Sequence, residues 1–233
     1  MRILVFLKQI PAFDQIEFDA RGLLNRAEHS REMNPFCRRA VAKATTLVEE
    51  HGGEIVFVTM GPPHAIEVLR EAIAWADARS VAAHGLHLCD PEFAGSDLAA
   101  TGQALSAAVA TLEPWDLVLC GARSVDAGTA MIPALLAAIF GVRVIEWAES
   151  LELNDSEWTI RVEDSLEMER LRRTDRLVVS CAERICDPCK VGTDQASSVA
   201  TERIRTMTAK DLGLAEPMTP AVRTRVVSIS DRE

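Results

Sequence analysis

The chain has 233 residues, of which 48% are hydrophobic and 26% are charged, a composition typical of a folded domain and not of a disordered or fibrous chain. Its 25 Lys and Arg against 35 Asp and Glu give a formal net charge of −10. That balance argues against nucleic-acid binding, which needs a surplus of cations along the phosphates. Aromatic residues make up only 5% and Tyr is absent, so stacking platforms for single-stranded nucleic acid are not expected either.

The sequence predicts no membrane span and no export signal. The alanine-rich stretch 98–112 is interrupted by polar residues and is shorter than the roughly 18 apolar residues that a membrane helix needs. The first seven residues have the pattern of a strand and lack a basic region followed by a cleavage site, so we expect a cytoplasmic protein. Six scattered cysteines do not predict a disulfide framework in a chain long enough to build its own core.

Short apolar runs alternate with helical periodicity along the first two thirds of the chain. The runs that predict buried strands are 3–7, 55–58, 80–88, 117–120 and 177–179. The patterns that predict helices are 36–50, 63–77, 97–111 and 129–140. The alternation, with short connections, predicts the α/β class: a doubly wound, mostly parallel sheet with helices on both faces.

Two regions depart from this pattern. Between about 142 and 176, apolar and polar residues alternate in 151–153, 158–162 and 166–168, with a turn at Asn154-Asp155, which predicts an antiparallel excursion from the parallel core. From Lys190 onward the hydrophobic content falls. We expect this extended C-terminal segment to be disordered, or to be an arm that becomes ordered by wrapping around another subunit.

Ligands of an open α/β sheet bind at the carboxyl ends of its strands, where amides at helix N-termini attract anions. The connections to inspect are 8–14, 34–37, 59–63 and 121–131. The most informative is Gly121–Pro133, whose small residues follow a buried strand, so that its amides can hold a phosphate with hydroxyls from Ser124 and Thr129. The alternative is an ordinary turn with Thr129 as a helix cap. The stretch is neither a P-loop nor a G-x-G-x-x-G fingerprint.

Four segments together resemble the β subunit of electron-transfer flavoproteins in order and spacing: Arg2–Lys8, Met-Asn-Pro-Phe-Cys at 33–37, Thr59–Pro62, and Gly121–Pro133 with Val125-Asp126. Leu177-Val-Val, Arg184, Pro188 and Asp211-Leu-Gly213 continue the register, so the resemblance covers nearly the whole chain. It implies an α/β nucleotide-binding domain over residues 1–189. It also implies a recognition loop and C-terminal arm over 190–233 that pack on a different subunit.

The resemblance implies an electron carrier without a catalytic reaction of its own. In that family an α subunit holds most of an FAD, and the β subunit buries an adenine nucleotide, usually AMP. The heterodimer takes electrons from a flavin dehydrogenase and passes them to a membrane quinone oxidoreductase. The expected partners are therefore the α subunit, the donor and the acceptor, with no nucleic acid and no membrane insertion of this chain.

The resemblance also implies site residues, carried over by position. The cofactor-binding positions are Phe6, Asn34, Pro35, Phe36, Cys37, Met60, Ser124, Val125, Asp126, Ala127, Gly128, Thr129, Ala130, Met131, Ile132 and Pro133, continuing to Leu135. Phe13 and Phe36 are expected to approach the α-bound flavin from the β side, Phe13 in place of a tyrosine common in the family. The alternative for either phenylalanine is a core side chain at the end of a strand. Asp126 is expected either to order the loop or to cap the following helix.

Two departures from the family pattern bear on ligands and partners. Many members have Gly-Gln-x-Gly where this chain has Ala130-Met131-Ile132-Pro133, and glycines let the backbone approach a phosphate closely. The loss of these glycines argues against a second FAD in this subunit. The two remaining expectations are that the nucleotide site binds AMP or that it is empty. The family's leucine anchor for the dehydrogenase aligns with Thr193–Ser197, which has no large apolar residue, so we expect a different partner or a different anchor such as Ile185.

Cys181, Cys186 and Cys189 have the C-x4-C-x2-C spacing of three of the four ligands in plant-type [2Fe–2S] ferredoxins. A C-x2-C pair is also common in zinc and redox sites. These residues are therefore candidate ligands of an iron–sulfur cluster or a zinc ion. The alternative is a core thiol at Cys181 with an exposed dithiol at the other two.

The remaining alternatives concern the function and one charged cluster. A stand-alone adenine-nucleotide-binding regulatory protein of the universal-stress type is built on a similar sheet, but it has no use for the segment beyond Lys190. An adenylating enzyme is disfavoured by the absence of a Ser-Gly-Gly-x-Asp-Ser motif. A basic cluster is expected either to be solvated or to contact the α subunit or an acidic partner, and it consists of Arg170, Arg172, Arg173 and Arg176.

Overall fold

A computed structural model describes residues 1–12, 31–165 and 168–214 of the chain. The strands in these ranges are β1 (Arg2–Leu7), β2 (Gln9–Pro11), β3 (Arg31–Met33), β4 (Glu54–Met60), β5 (Ala82–Leu88), β6 (Leu117–Gly121), β7 (Arg143–Asn154), β8 (Glu157–Val162), β9 (Met168–Arg172), β10 (Leu177–Cys181) and β11 (Ile204–Met207). The α-helices are α1 (Pro35–His51), α2 (Ile66–Asp77), α3 (Leu98–Ala110), α4 (Ile132–Phe140) and α5 (Thr193–Ser197).

The strands form a nine-stranded sheet in the order β11-β5-β4-β1-β6-β10-β7-β8-β9. From β11 to β7 every neighbouring pair is parallel, whereas β8 and β9 continue the sheet in antiparallel pairing. The strands β2 and β3 form a separate two-stranded antiparallel sheet beside the end of β1. The predicted parallel core and antiparallel excursion are confirmed, while the short β2–β3 pair was not predicted because its three-residue strands leave no periodic pattern.

Helices cover both faces of the sheet, as the alternation predicted. Side chains of α1 and α2 pack with Ile3, Val5 and Phe57 on one face, and those of α3 and α4 pack with Leu4 and Val118 on the other. The central strands are buried on both faces, which explains their uninterrupted apolar runs. No helix in the described ranges combines the length and the apolar character needed to cross a membrane.

Local chemistry sets the helix boundaries. Pro35 occupies the first turn of α1, where a backbone N–H has no partner within the helix, so that proline loses no hydrogen bond there. The Asp97 side chain accepts a hydrogen bond from the Ala100 N–H at 3.0 Å and so caps α3. Gly141 ends α4 in the left-handed conformation at φ 64°. Helix α4 begins three residues later than predicted, because the residues that precede it belong to an irregular loop.

The segment after Lys190 folds, in its first part, onto the sheet of its own chain. Strand β11 pairs with β5, and its Ile204 and Met207 are buried. Arg203 fixes this edge: its guanidinium donates to Asp77 Oδ2 at 2.6 Å and to the Ala83 carbonyl at 2.7 Å. Strand β11 was not predicted, because a few well-spaced apolar side chains are enough to extend a sheet that already exists. That residues 190–233 pack on a second subunit stays a prediction. The rest of the predicted arm, 215–233, lies outside the described residues.

A buried histidine predicts how the stability of the fold depends on pH. His87, on β5, is 2% exposed, and its Nε2 lies 3.2 Å from the Gly61 carbonyl oxygen. Burial lowers the pKa of His87 below its ordinary value, and burial together with Arg31 also lowers the pKa of His64. In the unfolded chain these histidines have pKa values of about 6.5, so at acidic pH it binds more protons than the folded chain. The contribution of these two histidines to the free energy of unfolding is therefore fully present above about pH 6.5 and is lost as the pH falls below it.

We expect His87→Gln to weaken this loss of stability on acidification, since Gln can still donate to the Gly61 carbonyl but does not titrate. Urea denaturation at pH 7.5 and pH 5.5 measures the difference. The control is His84→Gln on the same strand, where the side chain is exposed, and it should retain the pH dependence of the unsubstituted protein. Equal pH dependence in the His87 and His84 variants would contradict the assignment.

Candidate functional site

One buried side chain joins the connections at the carboxyl edge of the sheet. Asn34 is 1% exposed, and its backbone N–H donates to the Lys8 carbonyl just after β1 at 2.9 Å. Its Oδ1 accepts the Val125 N–H at 3.1 Å, and its Nδ2 donates to the Arg123 carbonyl at 2.9 Å. Asn34 therefore ties the end of β1 and the start of α1 to residues 122–131, which we call the 122–131 loop.

The start of α1 lies directly against the end of β6. A Cβ atom on Gly121 would lie 2.8 Å from Phe36 Cβ and 2.9 Å from the Cys37 nitrogen, closer than real Cβ atoms approach. Glycine at position 121 thus lets the helix come within backbone contact of the strand. This contact places Phe36 at the root of the 122–131 loop.

Lys8 organises the first half of the 122–131 loop. Its Nζ lies 2.7 Å from Asp126 Oδ1 and donates to Ser124 Oγ at 3.1 Å, and the Asp126 side chain is only 2% exposed. Of the two roles expected for Asp126, ordering the loop is the one observed, because α4 begins six residues further on. Lys8 was not among the predicted site residues, although a cation directly after a central strand and an acid in the facing loop were visible in the sequence.

The second half of the 122–131 loop presents its backbone to solvent. Ala127, Gly128 and Thr129 are exposed, and Gly128 has a φ of 68°. Ala130 is in the left-handed region at φ 54°, followed by Met131 at φ −85° and ψ −17° at the N-cap of α4. Successive left-handed and right-handed residues turn their N–H groups toward a common point, an arrangement that binds anions. The loop thus fits a phosphate group, and Thr129 is not the cap of α4.

Aromatic rings line the same edge beside this loop. The half-buried Phe36 ring meets the Trp147 ring edge-to-face, with centroids 6.3 Å apart and an interplanar angle of 82°. The Arg123 guanidinium carbon lies 5.6 Å from the Phe36 ring centroid. Trp147 has a φ of 58°, and its N–H donates to the buried Ser180 Oγ at 2.8 Å. Trp147 and Arg123 were not among the predicted site residues, because their contacts with Phe36 depend on tertiary pairing.

The remaining predicted site residues differ in exposure. Phe6 and Cys37 are buried, at 7% and 4% exposed, and Pro133 is also buried, whereas Met60 is half-buried. Burial raises the pKa of the Cys37 thiol, whose Sγ accepts a hydrogen bond from Asn34 Nδ2 at 3.4 Å. Phe6 and Cys37 therefore support the site from within the core. Phe13 lies outside the described residues.

Comparison with known proteins places the chain in a family. The family model described as "Electron transfer flavoprotein domain" matches residues 22–212. The chain belongs to the electron transfer flavoprotein family. Within that family it is of the beta-subunit type, as the resemblance of its sequence motifs implied. The universal-stress and adenylating alternatives are not favoured.

Several relatives are similar over most of the chain. The "Caffeyl-CoA reductase-Etf complex subunit CarD" of Acetobacterium woodii is 28% identical over 92% of this chain and 81% of the relative. An "Electron transfer flavoprotein subunit beta" from Clostridium acetobutylicum is 26% identical over 91% and 80%, respectively. "Protein FixA" of Rhizobium meliloti is 30% identical over 100% of this chain and 83% of the relative.

The three cysteines at the end of β10 do not form a ligand set. Among the described residues, no group of three or more His, Cys, Asp or Glu is arranged to hold a metal ion, and this applies to Cys181, Cys186 and Cys189. Cys181 and Cys189 are fully buried, and the Cys186 thiol donates to the Arg39 carbonyl at 3.3 Å. Burial raises the pKa of Cys189 to about 12, whereas metal ligation needs the thiolate. We therefore do not propose the iron–sulfur or zinc centre that the spacing suggested.

The expected partner-recognition segment is a short helix in this electron transfer flavoprotein. Thr193–Ser197 forms α5, and none of its residues is buried. Ile185, the candidate replacement anchor, is only 7% exposed and packs in the core. It is therefore not available to a partner in this arrangement, and no apolar anchor has taken the place of the family's leucine within Thr193–Ser197.

Substitution of Asn34 tests whether it holds the site together. Asn34→Ala leaves the Val125 N–H and the Arg123 carbonyl without their buried partner, so we expect the free energy of unfolding to fall by about 2 to 3 kcal/mol. Urea denaturation measures this change, and amide hydrogen exchange should show faster exchange at Val125. Asn154→Ala, at the exposed β7–β8 turn, is the control and should be nearly neutral. A comparable loss in both variants would refute the role of Asn34.

The left-handed residue of the 122–131 loop predicts a stabilising substitution. Ala130→Gly should raise the free energy of unfolding by about 1 kcal/mol, because glycine adopts φ 54° without the steric cost that a Cβ incurs. Ala138→Gly in the exposed part of α4 is the opposite control, with an expected loss of about 1 kcal/mol. Thermal or urea unfolding of the two variants should therefore shift in opposite directions; a shared direction would show that Ala130 is not strained.

Proposed function

We propose that this electron transfer flavoprotein chain is the β subunit of a heterodimer whose α subunit holds most of an FAD. The observation that supports this most directly is the edge organised by Asn34, where the 122–131 loop, exposed at residues 127–129, lies beside the half-buried Phe36. The first can hold a nucleotide phosphate, and the second offers an aromatic surface to a cofactor on a partner. FAD supplies the one- and two-electron chemistry when it is bound to the dimer.

The proposed nucleotide of this chain is AMP. The amides around Ala130 and Met131, with the N-terminus of α4, would hold one phosphate, while Lys8 and Asp126 keep the loop in place. Pro133 lacks an N–H and is buried in the first turn of α4, so the loop has fewer donors than the pyrophosphate of a second FAD needs. One phosphate is therefore the better match to this chain.

We propose that the dimer takes electrons from a flavin dehydrogenase and passes them to a quinone oxidoreductase, with no catalytic residue in this chain. Relatives named as subunits of caffeyl-CoA and acryloyl-CoA reductase systems indicate how widely members of the family differ in partners. The exposed α5, without an apolar anchor, suggests that the partner of this chain recognises a polar surface. We propose that the exposed side of 190–214 faces the α subunit or this partner.

Co-expression with an α-type subunit from the same genome tests the proposal. We expect a one-to-one complex that retains one FAD, detected by its visible absorption, whereas the β chain purified alone should retain no flavin. Acid extraction of the complex followed by chromatography should release AMP in addition to FAD.

Two results would count against the proposed function. A β chain that remains monomeric in the presence of the α subunit would exclude the heterodimer, and a stable dimer without flavin would exclude the role in electron transfer. A dimer with FAD and without AMP would overturn only the assignment of the nucleotide.

A further inference from the structure

We infer that Trp147 and Arg123 are positioning residues: together they fix the Phe36 ring at the carboxyl edge, and Arg123 places a positive charge there that favours the reduced form of the flavin. The inference rests on the proposed function, since the flavin belongs to the dimer. It concerns two side chains that were not among the predicted site residues. It also gives a role to the unusual backbone conformation of Trp147.

The backbone of Trp147 is held in an unfavourable conformation. A φ of 58° is rare for a bulky residue, and such strain persists only where the surroundings over-determine it. Here the Trp147 N–H donates to Ser180 Oγ at 2.8 Å, and the Trp147 carbonyl accepts the Glu163 N–H at 2.8 Å. The register between β7 and β10 shifts at this point, between Val179 and Cys181. The irregularity therefore sets where the indole lies.

The indole meets the Phe36 ring in an edge-to-face pair, the geometry that the quadrupoles of aromatic rings favour. The Arg123 guanidinium lies over the same ring at 5.6 Å from the centroid, within the range of a cation–π contact. Phe36 is also fixed at its backbone, because α1 packs against Gly121. The ring is thus constrained by its helix, by Trp147 and by Arg123.

Arg123 brings a charge as well as a contact. Its side chain is exposed, and in the described ranges its guanidinium forms no ion pair with a carboxylate. Its backbone is fixed, because its carbonyl accepts from Asn34 Nδ2 at 2.9 Å. A cation that is anchored at its base, lies over an aromatic ring and pairs with no carboxylate of the described residues is available to a negatively charged group opposite the Phe36 ring.

The chemical consequence follows from the charge of the flavin. Each electron that enters the flavin ring system from an added reductant adds one negative charge unless a proton enters with it. A guanidinium beside the ring attracts that charge, so it stabilises the reduced form relative to the oxidised form and raises the reduction potential. The position of Phe36 determines how close the flavin ring and the Arg123 guanidinium lie.

Anaerobic titration of the FAD-loaded αβ dimer with dithionite, in the presence of a reference dye, measures this effect. For Arg123→Gln we expect the ratio of reduced to oxidised flavin at a fixed potential to fall about tenfold, which equals about 59 mV for a one-electron couple. Arg123→Lys should restore most of the ratio because it restores the charge. Arg176→Gln is the matched control, since Arg176 also stacks on an aromatic ring, Trp115, but at the amino edge of the sheet.

Trp147 is tested by the visible circular dichroism of the bound flavin, which reports the orientation of groups around it. Trp147→Leu should change this spectrum because Phe36 loses its edge contact, and Trp147→Phe should preserve it. Trp147→Phe also keeps the test decisive if the leucine variant fails to fold.

If the dimer binds flavin, but Arg123→Gln has the same potential as Arg176→Gln or Trp147→Leu has the unsubstituted spectrum, the inference is wrong while the proposed function stands. If the unsubstituted dimer binds no flavin, the proposed function fails and this inference fails with it.

Discussion

The site depends on the burial of one amide side chain. Asn34 lies where β1, α1 and the 122–131 loop meet, and its buried side chain pairs with two backbone groups of the loop. A buried amide with fixed partners is costly to misplace, because each unpaired group loses its hydrogen bond without regaining hydration. The Met-Asn-Pro-Phe-Cys segment therefore has a structural role. Asn34 holds the 122–131 loop, Pro35 begins α1, and Phe36 lies at the carboxyl edge of the sheet.

Most of the fold could be predicted from the sequence because the signals were local. Uninterrupted apolar runs mark strands buried on both faces, and caps such as Asp97 and Gly141 mark helix ends within a residue or two. The antiparallel excursion was visible in its period of two. Strand β11 was not predicted, because the low hydrophobic content after Lys190 concealed the two buried side chains, Ile204 and Met207, that are enough to join an existing sheet edge.

The candidate site was predictable only in part, for the same physical reason. Loop residues after a central strand can be assigned to a ligand because parallel strands deliver their carboxyl ends to one place. The Lys8–Asp126 pair, the Trp147 ring and the stacked Arg123 come together across sequence separations that no local pattern encodes. The spacing of Cys181, Cys186 and Cys189 is typical of metal ligands. In the structure, however, these thiols face the core and helix α1.

The geometry of the carboxyl edge also supports the proposal that this chain works with a partner. The groups at the carboxyl edge include backbone amides, the Arg123 guanidinium and the pair of Phe36 and Trp147. Contacts with Asn34, Gly121 and Ser180 fix them on rigid elements. These groups suit a phosphate and one face of a planar cofactor. A pocket that buries a whole flavin needs more surface than these groups provide, which is why the proposed function takes the rest from a second subunit. The same fixation gives this edge a constant shape to present to the proposed second subunit.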